Sequence, residues 1–405
     1  MQVRRRNPCL LEVDDALVPD LSALLRGQAR LDSEVVCSLL CPISGNRLPL
    51  SAVEARVIAG ISALQWHALD DVSAMHGVSP DAIASMAERG LLCSDADDDD
   101  STRLREAEAQ LASMGWHPHA AVYHALSRWH AVEGDEGARD HGDPAHLERL
   151  RSHAAIHGEL PPHFHVRDDA VDHIRLPLEP LDDSFARVLR TRRTTRHFRS
   201  DVSLPLADFN RVLYGTFGAI GTEILAPQMV AIKRTSASGG GLHPIEAYPL
   251  AIDVEGLAPG LYHYEAKRHA LALLEPMTRE QARDLAATLT IGQTYFAEAH
   301  ALAFHVARLD RHHWKYRRHP KAYKAVLLDS GHLSQTFYLL AAERGLGAFY
   351  TAAINDADVS DRLRLDPLRE IVIGANGLGV PDPSRTSLQL NPEPYNPANA
   401  DALAP

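Results

Sequence analysis

The chain is short of positive charge, of cysteine and of long apolar runs, and each shortage excludes something. Its 405 residues carry 41 Lys+Arg against 53 Asp+Glu, a formal net charge of -12. The chain as a whole is therefore not a non-specific nucleic-acid binder. No apolar run approaches the roughly 18–20 residues that cross a bilayer. The start, Met1-Gln2-Val3-Arg4-Arg5-Arg6-Asn7-Pro8, is basic but lacks the apolar stretch of a secretory signal, so a cytoplasmic protein is expected. The four cysteines, Cys9, Cys37, Cys41 and Cys93, fall within the first hundred residues. Cys37 and Cys41 are four apart, but no second close pair follows, which favours reduced thiols over zinc. His117, His119, His124 and His130 cluster near Trp116 and Trp129 without a HExxH arrangement, so they read as surface or packing histidines rather than metal ligands. The acidic run 94–102 lacks EF-hand spacing and reads as a solvated linker.

What is present describes a globular protein: 45% apolar and 23% charged residues, with length for two or three domains. The expected divisions are 1–95, a helical linker region at 96–175 and a separate α+β domain at 176–405. Within the first, Glu34–Leu40 is β-like and Ser51 can cap a helix. Residues 69–92 read as helix, glycine turn at Gly77 and second helix. Ser79 caps that second helix, Pro80 takes its first position and Gly90 stops it. Leu91-Leu92 would begin a wing strand. This is the pattern of a winged helix-turn-helix. Its second helix presents Asp81, Ser85 and Glu88, where a DNA reader would show arginine, lysine or asparagine. Peptide recognition by a strand edge or groove is the better reading. Pro161 and Pro162 mark a further linker, and the last fifteen residues are rich in Asn and Pro.

Two segments carry chemistry. The first, 190–199, is Arg-Thr-Arg-Arg-Thr-Thr-Arg-His-Phe-Arg, five arginines in ten residues of an acidic chain. Guanidinium forks and short hydroxyls are the groups that a bound phosphate needs. The second, 236–244, is Ser-Ala-Ser-Gly-Gly-Gly-Leu-His-Pro, a run whose backbone can approach a flat ligand because glycine has no Cβ. Together they point to a phosphorylated cofactor. Downstream, Val326, Leu333, Phe337 and Leu340 form an apolar helical stripe ending at Gly345, and Glu370–Gly374 reads as a short buried strand.

Arg192-Arg193-Thr194-Thr195-Arg196-His197-Phe198 resembles the arginine-rich entry motif of the FMN-dependent nitroreductase superfamily, and within it the SagB-type dehydrogenases, azoline oxidisers of ribosomal peptide maturation. Ser238–Tyr248, Gly260–Tyr264 with His269–Leu271, and the helix containing Gly331–Gln335 are similar to further parts of that family, so the resemblance covers about 185–381. It implies an α+β, nitroreductase-like FMN domain with a central antiparallel-rich sheet flanked by helices, preceded by the winged helix. It also implies that Arg192, Thr194 and Arg196 meet the FMN phosphate while Arg193 points away. Ser238, Gly239 and Gly240 would lie along the isoalloxazine ring. Gln335 is a further candidate for a ring contact and Arg385 for the phosphate. A homodimer is implied, because sites of this type are built from both subunits.

The pair Lys315-Tyr316 is similar to the acid–base pair of the SagB-type enzymes. Converting a thiazoline or oxazoline to its azole removes a proton from one ring carbon and a hydride from its neighbour. The resemblance implies that flavin N5 accepts the hydride and that Lys315 and Tyr316 handle the proton. Lys315 would act as a base if partly desolvated beside Arg311, Arg317 and Arg318. Expected partners are a modified precursor peptide and a cyclodehydratase or other maturation enzyme, with oxygen reoxidising the flavin. Thr194, Asp329 and Thr336 depart from the family pattern, the last two on the expected substrate side. Three other readings stay open: an NAD(P)H-dependent nitro- or quinone reductase, a flavin-free peptide-binding scaffold and a redox-sensing regulator.

Overall fold

The computed structural model describes residues 1–134, 143–159, 164, 167, 169–172, 174, 176–177, 181–227 and 229–385. Pro161, Pro162 and the Asn/Pro-rich last fifteen residues lie outside them. The chain divides into two compact units. The first is Met1–Arg128 with Arg308–Ala325 and Asp366–Glu370; the second is the remainder.

In the first unit, strand β1 (Gln2–Arg5) begins the chain, followed by β2 (Leu10–Pro19), β3 (Leu31–Leu40), β4 (Arg47–Leu50), β5 (His67–Ala68) and β6 (Leu92–Ser94). β1 lies between β5 and β6, antiparallel to both, while β2, β3 and β4 form a separate sheet. The helices follow local signals. Ser51 and Glu54 close a capping box on Ala52–Gly60. Leu69–His76 ends at Gly77, and Ser79 caps Pro80–Glu88 with Pro80 at its first position. Val3, Leu39, Val57, Ile58, Val72 and Ile83 share one core. Asp81, Ser85 and Glu88 are exposed, as their spacing predicts.

Residues 96–127 depart from the linker expectation. Asp98 accepts from Ser101 N–H and caps the helix Asp99–Met114, so the acidic run is a helix start, where aspartates meet the positive end of the helix dipole. Glu108 of that helix is buried with Arg6, at 3.0 Å, and also pairs with Arg4 at 2.7 Å. Buried charges persist only when paired, and this trio ties the helix into the first unit.

The second unit holds β7 (Gly221–Ala226), β8 (Met229–Lys233), β9 (Ile245–Ala251), β10 (Gly260–Glu265), β11 (Ala270–Pro276), β12 (Ala301–Arg308), β13 (Gly347–Thr351) and β14 (Glu370–Gly379). Six form one sheet in the order β11-β10-β9-β12-β14-β13, and every pair whose register is described is antiparallel. Phe198, Leu250, Phe296, Leu302, Phe304 and Phe349 fill its core. The 22-residue helix Ala322–Glu343 runs from the first unit into the second; of the predicted stripe it buries Val326, Leu333 and Phe337 and half-buries Leu340.

Candidate functional site

After the helix Ser184–Thr191 the chain turns extended, and each residue of the arginine knot finds a different environment. Thr195 donates its N–H to Ala348 O (2.9 Å) and is buried against Gly347. Thr194 holds its hydroxyl 3.3 Å from that of Tyr338, and the Arg192 guanidinium sits 5.4 Å from the centre of the same ring. Arg196 hydrogen-bonds Tyr295, whose phenol is raised by burial and pulled back down by Arg196. Arg192, Thr194 and Arg196 are half-buried, whereas Arg193 is exposed. Among the described residues none of Arg192, Arg193 and Arg196 has a carboxylate within ion-pair distance. In a chain of net charge -12, Arg192 and Arg196, half-buried and without an acid partner among the described residues, have the chemistry an anion needs.

The glycine turn is anchored from below. Asp329, almost fully buried, accepts from the Ser238 hydroxyl and from Gly239 N–H (2.9 Å). Ser236 bonds Thr336 Oγ1 at 2.6 Å, and His332 Nδ1 lies 3.2 Å from Ala237 O. Gly240 and Gly241 take φ of 64° and 69°, a conformation that L side chains rarely adopt. A Cβ on Gly241 would meet nothing within 4 Å, so this turn is open on its outer side. Two expectations change here. The Ser238 hydroxyl and Gly239 N–H are engaged by Asp329 rather than directed outward. Asp329 and Thr336 support the turn itself and not the substrate side, because both project from the long helix into residues 236–239.

The long helix links knot and turn. Asp329 and Tyr338 are nine residues apart, about 13–14 Å along the axis. At about 100° per residue, Gly331 and Gln335 lie on the face between Tyr338 on one flank and His332 and Thr336 on the other. Gly331 and Gln335 are both exposed, and a Cβ on Gly331 would meet nothing within 4 Å. The knot's hydroxyl and guanidinium groups thus flank this exposed face at Tyr338 and the glycine turn flanks it at His332 and Thr336, which makes the face a candidate cradle. Neither Tyr338 nor Asp329 was marked by sequence for these roles. Tyr338 follows Gln335 by three residues on the recognised helix, the one available signal.

Arg385 departs from expectation. Glu298 holds it at 2.9 and 3.1 Å and raises its already high pKa, which occupies its fork. His197 Nδ1 is 4.0 Å from the same carboxylate.

Lys315 ends the helix Leu309–Lys315 and Tyr316 caps it, both in the first unit. The Lys315 ammonium lies 5.7 Å from the Tyr316 ring centre. Lys315 is exposed. Arg317 donates to Ser113 O at 2.8 Å. The histidines near Trp116 separate: His124 is buried, His117 and His119 contact each other edge to face, and His130 pairs with Asp358. Among the described residues no three His, Cys, Asp or Glu side chains form a metal-holding group.

Residues 189–380, just under half of the chain, match the Nitroreductase family. The chain is 29% identical over 146 residues to the trifolitoxin-processing protein TfxB of Rhizobium leguminosarum bv. trifolii, covering 36% of this chain and 39% of TfxB. It is 26% identical over 178 residues to the protein named "Putative nitroreductase MJ1384" of Methanocaldococcus jannaschii, covering 44% of this chain and 83% of that one. A chain of the E. coli microcin synthetase McbBCD complex, solved with truncated pro-MccB17 bound, overlays at a TM-score of 0.43 with 18% identity, over 60% of this chain and 88% of that one. The family uses FMN. The donor set fits that group: unpaired guanidinium groups and a hydroxyl suit its phosphate, and the open Gly331 face beside the Gly240-Gly241 turn suits its ring. By sequence, residues 189–380 form a nitroreductase-family domain.

Proposed function

We propose that this chain is an FMN-dependent dehydrogenase that oxidises a ribosomally made, modified peptide, azoline to azole. The observation that carries the cofactor reading is the cluster of Arg192, Thr194 and Arg196 around Tyr338 and Tyr295, without acid partners among the described residues. The similarity to TfxB, named for trifolitoxin processing, supports the peptide class of substrate. The match spans 39% of TfxB, so substrate and partners are part of the proposal.

Bound FMN would supply a two-electron acceptor. The chain's own residues do the remaining work. Arg192 and Arg196 hold the phosphate with the Thr194 hydroxyl, and the Asp329-anchored turn carries Gly240 and Gly241 along the ring with Gln335 on the helix face. Lys315 and Tyr316 take the proton from the azoline carbon. The winged-helix reading of residues 1–95 gives that segment the task of recruiting the precursor peptide or a cyclodehydratase. The exposed helix stripe Leu327, Leu328, Gly331 and Gln335 supports a homodimer. A cytoplasmic location follows from the same reading.

The exposure of Lys315 favours one alternative, an NAD(P)H-dependent nitro- or quinone reductase that needs no protein base. The deciding experiment is the visible spectrum of the purified protein, then anaerobic mixing with an azoline peptide or with NADH and NADPH. Bleaching by the azoline peptide, abolished in Lys315→Ala, supports the dehydrogenase. Rapid bleaching by NAD(P)H that Lys315→Ala leaves unchanged supports the reductase. A colourless protein that also fails to take up added FMN overturns both.

A further inference from the structure

The chain is acidic overall, yet the stretch 315–324 carries Lys315, Arg317, Arg318, Lys321 and Lys324 and no Asp or Glu. All five cations are exposed. Among the described residues Arg318, Lys321 and Lys324 have no carboxylate within ion-pair distance, and Arg317 donates to a backbone carbonyl, Ser113 O. The nearest acid in sequence, Asp310, is engaged by Arg308 at 3.2 Å. The packed neighbours bring no acid either. The helix Pro118–Ser127, which meets Tyr323 through Tyr123 and His124, contains no Asp or Glu, and neither does the last turn of Asp99–Met114, which receives Arg317.

The stretch is folded, not a loose charged loop. His319 N–H donates to Tyr316 O at 3.2 Å and Ala322 N–H to His319 O at 3.0 Å, two successive turns. Arg318 N–H donates to Gly115 O at 2.6 Å, and the Arg317 stem lies so close over Gly115 that a Cβ there would sit 3.1 Å from Arg317 Cγ. This arrangement costs stability in two ways. Arg318 holds φ at 52°, a conformation that favours glycine. Lys321 and Lys324 crowd like charge at the start of the helix Ala322–Glu343, whose first turn has no acid, although acids are the favourable charges there. Fixed, exposed cations without acids of their own suit an anionic partner. The acidity of the whole chain disfavours nucleic acid in that role. The stretch also contains the Lys315-Tyr316 pair, so its placement favours the substrate itself.

We propose that Arg317, Arg318, Lys321 and Lys324 form a docking face for an acidic stretch of the peptide substrate, beside the Lys315-Tyr316 pair. The proposal rests on the reading of that pair as the place where a peptide reacts. Docking of this kind draws the peptide in and holds it, so it lowers KM and leaves kcat unchanged.

Fluorescence anisotropy of the full chain with rhodamine-labelled (Gly-Glu)5, (Gly-Gln)5 and a ten-nucleotide single-stranded DNA tests the face without any flavin chemistry. The acidic peptide should bind about tenfold or more tighter than its glutamine counterpart and weaken as salt rises from 50 to 300 mM. Combined Arg318→Glu, Lys321→Glu and Lys324→Glu should erase that preference. These positions are exposed, and a control variant of equal charge change, Arg26→Glu, Lys233→Glu and Lys267→Glu, should keep it. With an azoline peptide flanked by glutamates, the first variant should raise KM about tenfold with kcat within about twofold. Acidic-peptide binding that localises to this face without azoline turnover would sink the dehydrogenase reading and leave the docking face standing. Turnover with a KM indifferent to the flanking charge would do the reverse. Tighter binding of the DNA than of the acidic peptide, no preference for glutamate over glutamine, or equal loss in the control variant overturns the proposal.

Discussion

Arg192 and Arg193 are neighbours in sequence with opposite surroundings, and the contrast makes a clean test. Arg192 lies over Tyr338 among hydroxyl groups, while Arg193 is exposed. A hydrogen bond to a charged group contributes about 1.5–3 kcal/mol, roughly 10- to 100-fold in an equilibrium constant. Arg192→Ala should weaken FMN binding by that factor, and Arg193→Ala should leave it within about twofold, as read by flavin fluorescence titration. Equal effects would remove the assignment. Asp329 acts one layer deeper, accepting from Ser238 and from Gly239 N–H in a buried position. Asp329→Ala strands two donors at about 1–3 kcal/mol each, so a lower melting temperature should accompany loss of flavin on gel filtration. Asp329→Asn keeps one acceptor and should fall between. Retained flavin in Asp329→Ala would show that the turn holds its shape without this anchor.

At the scale of elements, what sequence reveals is what local chemistry decides. Gly77, Ser79 and Pro80 punctuate the helix pair within four residues, and the structure places both helix ends there. Gly345 stops the long helix for the same local reason. The alternation around 192–196 is what the family resemblance implies, and of the three arginines there Arg193 is the exposed one. Asp329 and Tyr338 were not legible, since their partners lie 90 and 144 residues away in sequence. The acidic run misled because charge alone does not distinguish a solvated linker from a helix N-terminus. Gly331 gives an element-scale prediction. It sits inside the helix Ala322–Glu343, where glycine costs about 0.5–1 kcal/mol relative to alanine, and a methyl group there meets nothing within 4 Å. Gly331→Ala should therefore raise the melting temperature of the flavin-free chain while weakening FMN binding, because the added carbon enters the cradle. A gain in both would move the flavin off this helix face.

The whole molecule adds what no segment contains: the first unit is discontinuous, collecting 308–325 and 366–370 from the far end of the chain. No composition shift marks such returns, so the expected division at 96–175 missed them. Stability against pH is also a global property. His124, His305 and His313 are buried and held neutral down to about 4, chiefly by burial, whereas the unfolded chain protonates histidine near 6.5. Between those values the unfolded state binds more protons, so stability is full above about 6.5 and falls as pH drops towards 4. The loss is on the order of 1 kcal/mol per imidazole per pH unit. Urea midpoints should be level from pH 8 to 7 and decline below 6.5, less steeply in His124→Phe; a level profile to pH 5 would contradict it. Assembly is the last global question. Leu328 is 59% exposed and Leu327 40%, on the face that holds Gly331 and Gln335, so the proposed partner subunit and the proposed cradle share one stripe. An arginine in an apolar interface core must be desolvated without a partner, which breaks association. Leu328→Arg should convert a dimer to a monomer in sedimentation equilibrium, and flavin should be lost with it, since the two share that face. A monomeric parent protein that retains FMN would end the homodimer reading and leave the cradle complete in one chain.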